Sequence, residues 1–188
     1  MQTAMLIGSS KSHWTDNELM SLPKDGNKYE LIEGDLLVSP VGNTHSLICV
    51  RTLLLLSTFV RKRKLGNTYD SSIGYRLSPA VLLSPDVSFV SRNRLAEMIV
   101  DPDKFLRAAP DLVVEVLSPS DRLKIIESKL DLYFEHGARL AWVIDLKRSS
   151  LTVHQPDSVT KLAALNDVVT GGDVLRGFKC RLGEILFD

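Results

Sequence analysis

The stretch Pro110–Ser120 constrains the fold more than any other part of the chain, because it is a short valine-rich run with prolines near both ends. Proline cannot donate to a β-ladder and valine fits a pleated surface, so the run predicts a buried strand. Side chains alternate across a strand, and Glu115 therefore shares a face with Val113 and Leu117. A carboxylate is rarely buried unless it is paired or binds a metal. Glu115 is then either satisfied by an arginine or backbone donors, or it belongs to a cation site.

A second carboxylate, Asp86, opens an earlier predicted strand. In the segment Pro85–Val90, Asp86 and Ser88 share one face. If this strand is the neighbour of the strand that carries Glu115, the two carboxylates converge. Two carboxylates a few ångströms apart repel each other unless a cation shares them, and such oxygen-rich sites suit Mg²⁺ or Mn²⁺. In outline this is a geometry that cleaves phosphodiesters.

A lysine in the following helix is a candidate for the group that stabilises charge developing on phosphorus. On a helical wheel of Asp121–His136, Lys129 falls inside the apolar arc, between Ile125 and Tyr133. It is either a snorkelling stem at the margin of the core or a cation aimed at the carboxylates. We favour the second, because the helix directly follows the carboxylate strand and can pack over its end. Arg122 lies on the same arc but in the frayed first turn, which makes it the weaker candidate.

The order of the predicted elements indicates the fold class. Strands, a helix, strands, a helix and further strands follow one another, which predicts an α/β fold, a mixed sheet flanked by helices. The 188 residues, 44% of them hydrophobic, can bury one core. We therefore expect residues 1–13 to form a flexible arm and residues 14–188 a single domain. The Thr15 and Glu18 spacing predicts a capping box on a short helix, and Lys28–Ile32 with Leu36–Ser39 predicts a hairpin.

A long helix is predicted from Asn43, its N-cap, to about Leu65, where Gly66 ends it. Its Leu53–Leu56 run is too short for the ~20 apolar residues of a spanning helix, so we expect a core helix and no membrane. Four basic residues fall in its last turn, where cations favour the helix dipole. Contact with a nucleic-acid phosphate is the alternative role. These residues are Arg61, Lys62, Arg63 and Lys64.

Composition limits the partners and the compartment. Lysine plus arginine balance aspartate plus glutamate at 23 each, so no global field attracts nucleic acid and binding would need local patches. The two cysteines, Cys49 and Cys180, have no CxxC spacing, which argues against a zinc site and a disulfide framework. A reducing, cytoplasmic location fits this usage. Met1–Ser10 lacks the charged start and apolar stretch of a signal peptide.

Several motifs together resemble the Uma-type restriction endonuclease family, a branch of the PD-(D/E)xK nuclease superfamily. The likeness runs from about Trp14 to the C-terminus, with His45 included, and its most specific string is Pro110–Ser120. A lone Pro-Asp pair would not be specific. The other matching strings are Tyr29–Leu36, Pro85–Val90, Lys129–Tyr133, and the segment from Gly137 through Trp142–Asp145.

The resemblance implies a restriction endonuclease-like fold with Asp86 and Glu115 as ligands of Mg²⁺ (or Mn²⁺). It further implies metal-dependent hydrolysis of DNA by an activated water. The chain departs from the superfamily pattern at one position, because Leu117 stands two residues after the glutamate where a lysine is expected. The lysine role can then be carried over only to Lys129, in agreement with the helical wheel.

The resemblance also suggests two auxiliary residues. Glu30 is expected to be an acid that reaches the metal, with an exposed hairpin residue as the alternative. His45 is expected to touch the substrate or the edge of the site, with a capping or surface histidine as the alternative.

Three functions are compatible with these residues. The first is a Mg²⁺-dependent deoxyribonuclease, acting as a homodimer because two symmetric sites most easily cut two strands. The second is a catalytically inactive nuclease-fold module that binds nucleic acid or protein, since a fold does not determine a function. The third is a hydrolase of a small phosphoester, for which the basic residues Arg61–Lys64, Arg92 and Arg94 would be irrelevant.

Overall fold

The computed structural model describes residues 5–7, 13–39, 42–98, 101, 104–117 and 123–187. Predictions for the rest of the N-terminal arm, for residues 118–120 and for Arg122 lie outside these ranges. The helices are α1 Asp16–Met20, α2 Asn43–Arg63, α3 Arg92–Glu97, α4 Leu123–Glu135 and α5 Leu182–Leu186. The strands are β1 Met5–Ile7, β2 Lys28–Ile32, β3 Asp35–Ser39, β4 Gly66–Asp70, β5 Tyr75–Ser78, β6 Val81–Leu83, β7 Val87–Ser91, β8 Leu112–Leu117, β9 Leu140–Asp145, β10 Ser150–Gln155, β11 Ser158–Leu162, β12 Val168–Gly171 and β13 Leu175–Arg181.

The central element is a six-stranded mixed sheet in the order β11-β10-β9-β8-β7-β4. Strands β8 and β9 run parallel, joined by the crossover helix α4, and the other pairs are antiparallel. A parallel pair needs such a crossover and is buried on both faces. All six residues of β8 are accordingly buried, as its valine-rich sequence predicts.

The two faces of β8 contribute to two different cores. Leu112, Val114 and Val116 pack in the core that lies under α2. Val113 and Leu117, on the opposite face, pack against α4. The sequence prediction of a mixed sheet flanked by helices is therefore confirmed for this layer.

A second, antiparallel sheet stands beside the first, where the sequence predicted only one. Its five strands are ordered β1-β3-β2-β6-β5. The predicted hairpin forms β2 and β3, and the short strand β6, which sequence reasoning missed, joins β2 through the pair Leu31↔Leu82. Val81 and Leu83 of β6 are buried in the core under α4. Strand β6 therefore connects β2, the strand that carries Glu30, to the core between α4 and the central sheet.

Strand β1, Met5–Ile7, falls within the segment predicted to be an arm and pairs with β3 at the edge of the second sheet.

The capping box predicted for α1 is present, because the Thr15 hydroxyl accepts from the Glu18 N–H and the Glu18 carboxylate accepts from the Thr15 N–H. The C-terminal part adds the pair β12 and β13, of which β12 was not predicted, and α5.

Helix α2 differs from its prediction at both ends. Its N-cap is Gly42 rather than Asn43. It ends at Arg63 with Lys64 as a C-cap in the left-handed conformation, so that Gly66 already belongs to β4. One face is buried, at Ile48, Thr52, Leu56 and Val60. By length and composition α2 also meets the requirement for a membrane-crossing helix, because its apolar stretch exceeds the Leu53–Leu56 run. Mostly buried core helices of soluble proteins meet it as well, whereas 22% of the apolar window of α2 is buried.

Candidate active site

The pairing of β7 with β8 brings the two predicted carboxylates together. The strands are antiparallel neighbours with Val87 opposite Val114, and the Asp86 N–H donates to the Val114 carbonyl over 3.0 Å. Asp86 Oδ1 lies 2.9 Å from the Lys28 ammonium nitrogen, and Glu115 Oε2 lies 3.9 Å from the same atom. The predicted convergence on one face is thus confirmed, although the cation between the carboxylates is a lysine.

Asp86 is buried, and each of its oxygens has a partner. Oδ1 accepts from Lys28, while Oδ2 accepts from the Val116 N–H at 2.8 Å and lies 3.1 Å from His45 Nε2. Burial raises the pKa of Asp86, but the charge of Lys28 and the hydrogen bond to His45 outweigh burial and hold the pKa well below its usual range. Asp86 is therefore an ionised, oriented carboxylate.

Glu115 is 3% exposed and has two donors in contact with one of its oxygens. Its Oε1 lies 2.7 Å from Lys129 Nζ and accepts a long hydrogen bond of 3.4 Å from the Tyr133 hydroxyl. Burial raises the pKa of Glu115, against the opposing charges of Lys129 and Lys28. The neighbouring carboxylate of Asp86 raises it further.

Lys129 projects from the sheet-facing side of α4, as the helical wheel predicts. The ammonium is buried rather than at the margin of the core, and it lies 2.7 Å from Glu115 and 3.0 Å from Glu30 Oε1. Burial lowers the pKa of Lys129, but the two carboxylates outweigh it and raise the pKa. The alternative of a snorkelling stem is wrong, because the side chain of Lys129 is only 3% exposed and its ammonium is paired with two buried carboxylates.

Glu30 belongs to this network through Lys129. It is 2% exposed, its Oε1 accepts from the Ser84 N–H at 2.9 Å, and its Oε2 accepts from Lys129 at 3.1 Å. The alternative of an exposed hairpin residue is therefore wrong. The oxygens of Glu30 are engaged by Lys129 and Ser84 in this structure, so its role as an auxiliary acid that reaches a metal stays a prediction.

His45 lies in the first turn of α2 and connects Asp86 to a cysteine. Its Nε2 is 3.1 Å from Asp86 Oδ2, and its Nδ1 is 3.5 Å from the Cys49 sulfur. Burial lowers the pKa of His45, but the hydrogen bonds to Asp86 and Cys49 outweigh it and raise the pKa to about 10. His45 therefore lies at the edge of the site as a charged donor to Asp86, and it does not cap the helix.

Three residues of the site were missed by the sequence reasoning. Lys28 precedes Glu30 by two positions in β2, so strand alternation would have placed both on one face. Tyr133 and Cys49 follow Lys129 and His45, respectively, by four positions on a helix, which places each pair on one helical face. The alternation of β2 and the helical spacing of α2 and α4 could therefore have identified all three residues from the sequence.

The basic residues at the end of α2 are not part of this cluster. Arg61 is sixteen residues beyond His45 along one helix, or about 24 Å at 1.5 Å per residue. Arg63 packs over the Phe59 ring, 4.3 Å from its centroid, and donates to the Arg176 carbonyl. The contact of Arg61, Lys62, Arg63 and Lys64 with nucleic acid stays a prediction.

The pair Pro110-Asp111, which begins the segment that carries Glu115, has a structural role. Asp111 is 2% exposed and accepts from the Ser91 N–H at 2.7 Å and from Arg139 at 3.1 Å, while Arg94 Nε lies 3.3 Å away. Arg94 also donates to the Gly137 carbonyl. Asp111 thus ties β7, α3 and the turn before β9 together, next to the strand that carries the candidate site.

The donor set indicates which cations the site could hold. The carboxylate oxygens of Asp86 and Glu115 are hard ligands of the kind that Mg²⁺ and Mn²⁺ prefer. The site already holds a positive charge within 4 Å of both carboxylates, which shows that a cation fits there. On the other side of Asp86, His45 and Cys49 complete a group whose ligand atoms lie within 4.8 Å of one another, although the sequence argued against a zinc site.

Comparison with known proteins identifies a matching family and a solved structure with a similar fold. Residues 16–183 match the model of the Uma2 family, whose description is "Putative restriction endonuclease". A crystal structure from Anabaena variabilis ATCC 29413, described as "a putative nuclease belonging to DUF820", superposes with a TM-score of 0.78. It is 17% identical, and the match covers 92% of this chain and 97% of that chain. At this identity the likeness shows the fold, so the predicted fold class is confirmed. No curated protein matches.

Proposed function

Since the chain belongs to the Uma2 family, we propose that it is a Mg²⁺-dependent endonuclease that hydrolyses DNA phosphodiester bonds. The observation that carries the proposal is the buried acid pair Asp86 and Glu115, which shares one cation and has a second ammonium, Lys129, on its far side. Perturbed carboxylates of this kind cluster at functional sites.

Asp86 and Glu115 are the residues that would hold Mg²⁺ or Mn²⁺. When bound, the metal supplies Lewis-acid polarisation of the phosphate and lowers the pKa of a coordinated water. The chain's contribution is to keep Asp86 ionised and to align both carboxylates. Val116 and His45 orient Asp86, and Tyr133 donates to Glu115.

Lys129 is the proposed source of positive charge for the transition state. Its ammonium is held by Glu115 and Glu30, so it needs no reorganisation when negative charge develops on the phosphate oxygens. Glu30 is then a positioning residue, because it acts through Lys129 and is itself fixed by the Ser84 N–H.

Cleavage of supercoiled plasmid DNA tests the proposal. The purified chain should nick or linearise the plasmid with Mg²⁺ or Mn²⁺ and not with a chelator. Asp86→Ala and Glu115→Ala should each abolish this activity, whereas the exposed Asp35→Asn should retain it. Full activity in either alanine variant would remove the assignment.

A catalytically inactive binding module is the second candidate. Two observations favour it. Lys28 and Lys129 already neutralise the acids of the site, which are Asp86, Glu115 and Glu30. The chain also has zero net charge. Calorimetric titration with Mn²⁺ separates the two. Binding that disappears in the Asp86 variant supports the nuclease, and no binding supports the inactive module.

We propose DNA and a second copy of the chain as the partners, and the cytoplasm as the location. A homodimer presents two symmetric sites to the two strands of a duplex. Helix α2 exposes an apolar stripe at Leu47, Val50 and Leu54, with 47%, 50% and 61% of each residue accessible. The stripe begins two residues from His45 and is the surface that we assign to the second copy.

A further inference from the structure

Lys28 occupies the position between the two proposed metal ligands. It is the first residue of β2, and its side chain is 10% exposed. Its ammonium lies 2.9 Å from Asp86 Oδ1 and 3.9 Å from Glu115 Oε2. Lys129 differs from Lys28 in this respect, since it contacts Glu115 through Oε1 and reaches Glu30.

The oxygens that Lys28 engages are those that a divalent cation would need. Oδ2 of Asp86 already accepts from the Val116 N–H, and Oε1 of Glu115 is held by Lys129. The oxygens that remain, Oδ1 and Oε2, are the two nearest to Lys28. A metal bound to them would lie within a few ångströms of the ammonium, and like charges repel strongly at such separations in a buried site.

Lys28 is better placed than Lys129 to withdraw from the carboxylates. It begins at the end of a strand, next to the exposed residues Lys24, Asp25 and Gly26, and it is less buried than Lys129. Lysine carries its charge on a flexible four-carbon stem, so the ammonium can withdraw without movement of the backbone.

We propose that Lys28 is a built-in competitor for the metal: a divalent cation binds between Asp86 and Glu115 only when the Lys28 ammonium withdraws from them. This inference rests on the proposed function, because it takes the two carboxylates as metal ligands. Lys28 stabilises the acid pair while no metal is bound, and in doing so it weakens the affinity for metal.

Calorimetric titration of Mn²⁺ into the wild-type chain and two matched variants tests the proposal. Lys28→Met removes the ammonium and keeps the stem, whereas Lys24→Met removes an exposed lysine four residues away. Lys28→Met should bind Mn²⁺ at least about tenfold more tightly than the wild type, because a like charge beside the metal is removed. Lys24→Met should bind as the wild type does.

Thermal unfolding followed by circular dichroism keeps the proposal testable if Lys28→Met folds poorly without metal. Without metal, Lys28→Met should melt below the wild type, and saturating Mn²⁺ should raise its melting temperature more than that of the wild type. A variant that folds only with Mn²⁺ also supports the proposal. One that stays unfolded at millimolar Mn²⁺ overturns it.

The outcomes also separate this inference from the proposed function. If the wild type binds Mn²⁺ and Lys28→Met binds it equally or more weakly, the competitor role is wrong while the metal-dependent nuclease stands. If neither chain binds Mn²⁺, both proposals fail. If only Lys28→Met binds Mn²⁺, the competitor role is supported, but the wild-type chain is then the inactive module rather than the metal-dependent nuclease.

Discussion

Replacement of Lys129 by methionine tests the buried charge cluster without reference to catalysis. Lys129 is 3% exposed and lies 2.7 Å from Glu115 and 3.0 Å from Glu30. Methionine keeps most of the stem but leaves two buried carboxylates without this cation. Removing one partner of a buried ion pair typically costs about 3–5 kcal/mol, so we expect the free energy of unfolding to fall by about that amount at neutral pH.

The loss should become smaller in acid. Burial raises the pKa of Glu115 and Lys129 opposes that rise, so the variant should have a still higher pKa at this residue. A carboxyl group whose pKa is raised in the folded state contributes stability below its unfolded pKa, and the contribution is lost as pH rises through the folded pKa. Lys129→Met should therefore regain part of its stability when the pH is lowered from about 7 to about 5.

Urea denaturation followed by circular dichroism measures both effects. With an m-value of about 1–3 kcal/mol/M, the midpoint of Lys129→Met should fall by about 1 M or more at neutral pH. The control is Lys124→Met, which removes an exposed lysine from the same helix and should stay within about 0.5 kcal/mol of the wild type. A Lys129→Met midpoint equal to that of Lys124→Met would refute the cluster's role in stability.

Three further predictions follow from other contacts. Asp111→Asn should lower the free energy of unfolding by about 2–3 kcal/mol, because it weakens charge-assisted hydrogen bonds to a buried carboxylate. An unchanged urea midpoint would argue against the role of Asp111 in linking β7, α3 and the turn before β9. Leu54→Glu should shift the mass measured by light scattering from dimer to monomer, and a wild-type monomer would remove the dimer proposal. Arg61→Glu combined with Arg63→Glu should weaken DNA binding and reduce its salt dependence by about 0.9 per lost phosphate contact. Equal binding in both chains would leave these residues with only the helix-end role.

The sequence predicts those parts of the site that depend on one element's own period. Alternation along β8 separates Glu115 from its valine neighbours, and the helical wheel of α4 turns Lys129 toward the sheet. Both inferences need only local geometry. The sequence analysis assumes, and does not predict, that β7 pairs with β8. The register between two strands is set by contacts between residues distant in sequence.

The parts that were not predicted depend on the second sheet. Strand β6 is three residues long, too short for a periodic signal, yet it joins β2 to the core under α4. Without that contact nothing in the sequence places Lys28 and Glu30 beside Asp86. Burial of Glu30 and the position of Lys28 between the acids therefore follow from tertiary packing rather than from propensity.

A crystal structure of the chain soaked in Mn²⁺ tests the central claim most directly. The account predicts an anomalous peak about 2 Å from Asp86 Oδ1 and from Glu115 Oε2, with the Lys28 ammonium withdrawn from both oxygens. The contrary result is Lys28 still between the two carboxylates with no anomalous peak there, or a metal bound elsewhere without either acid.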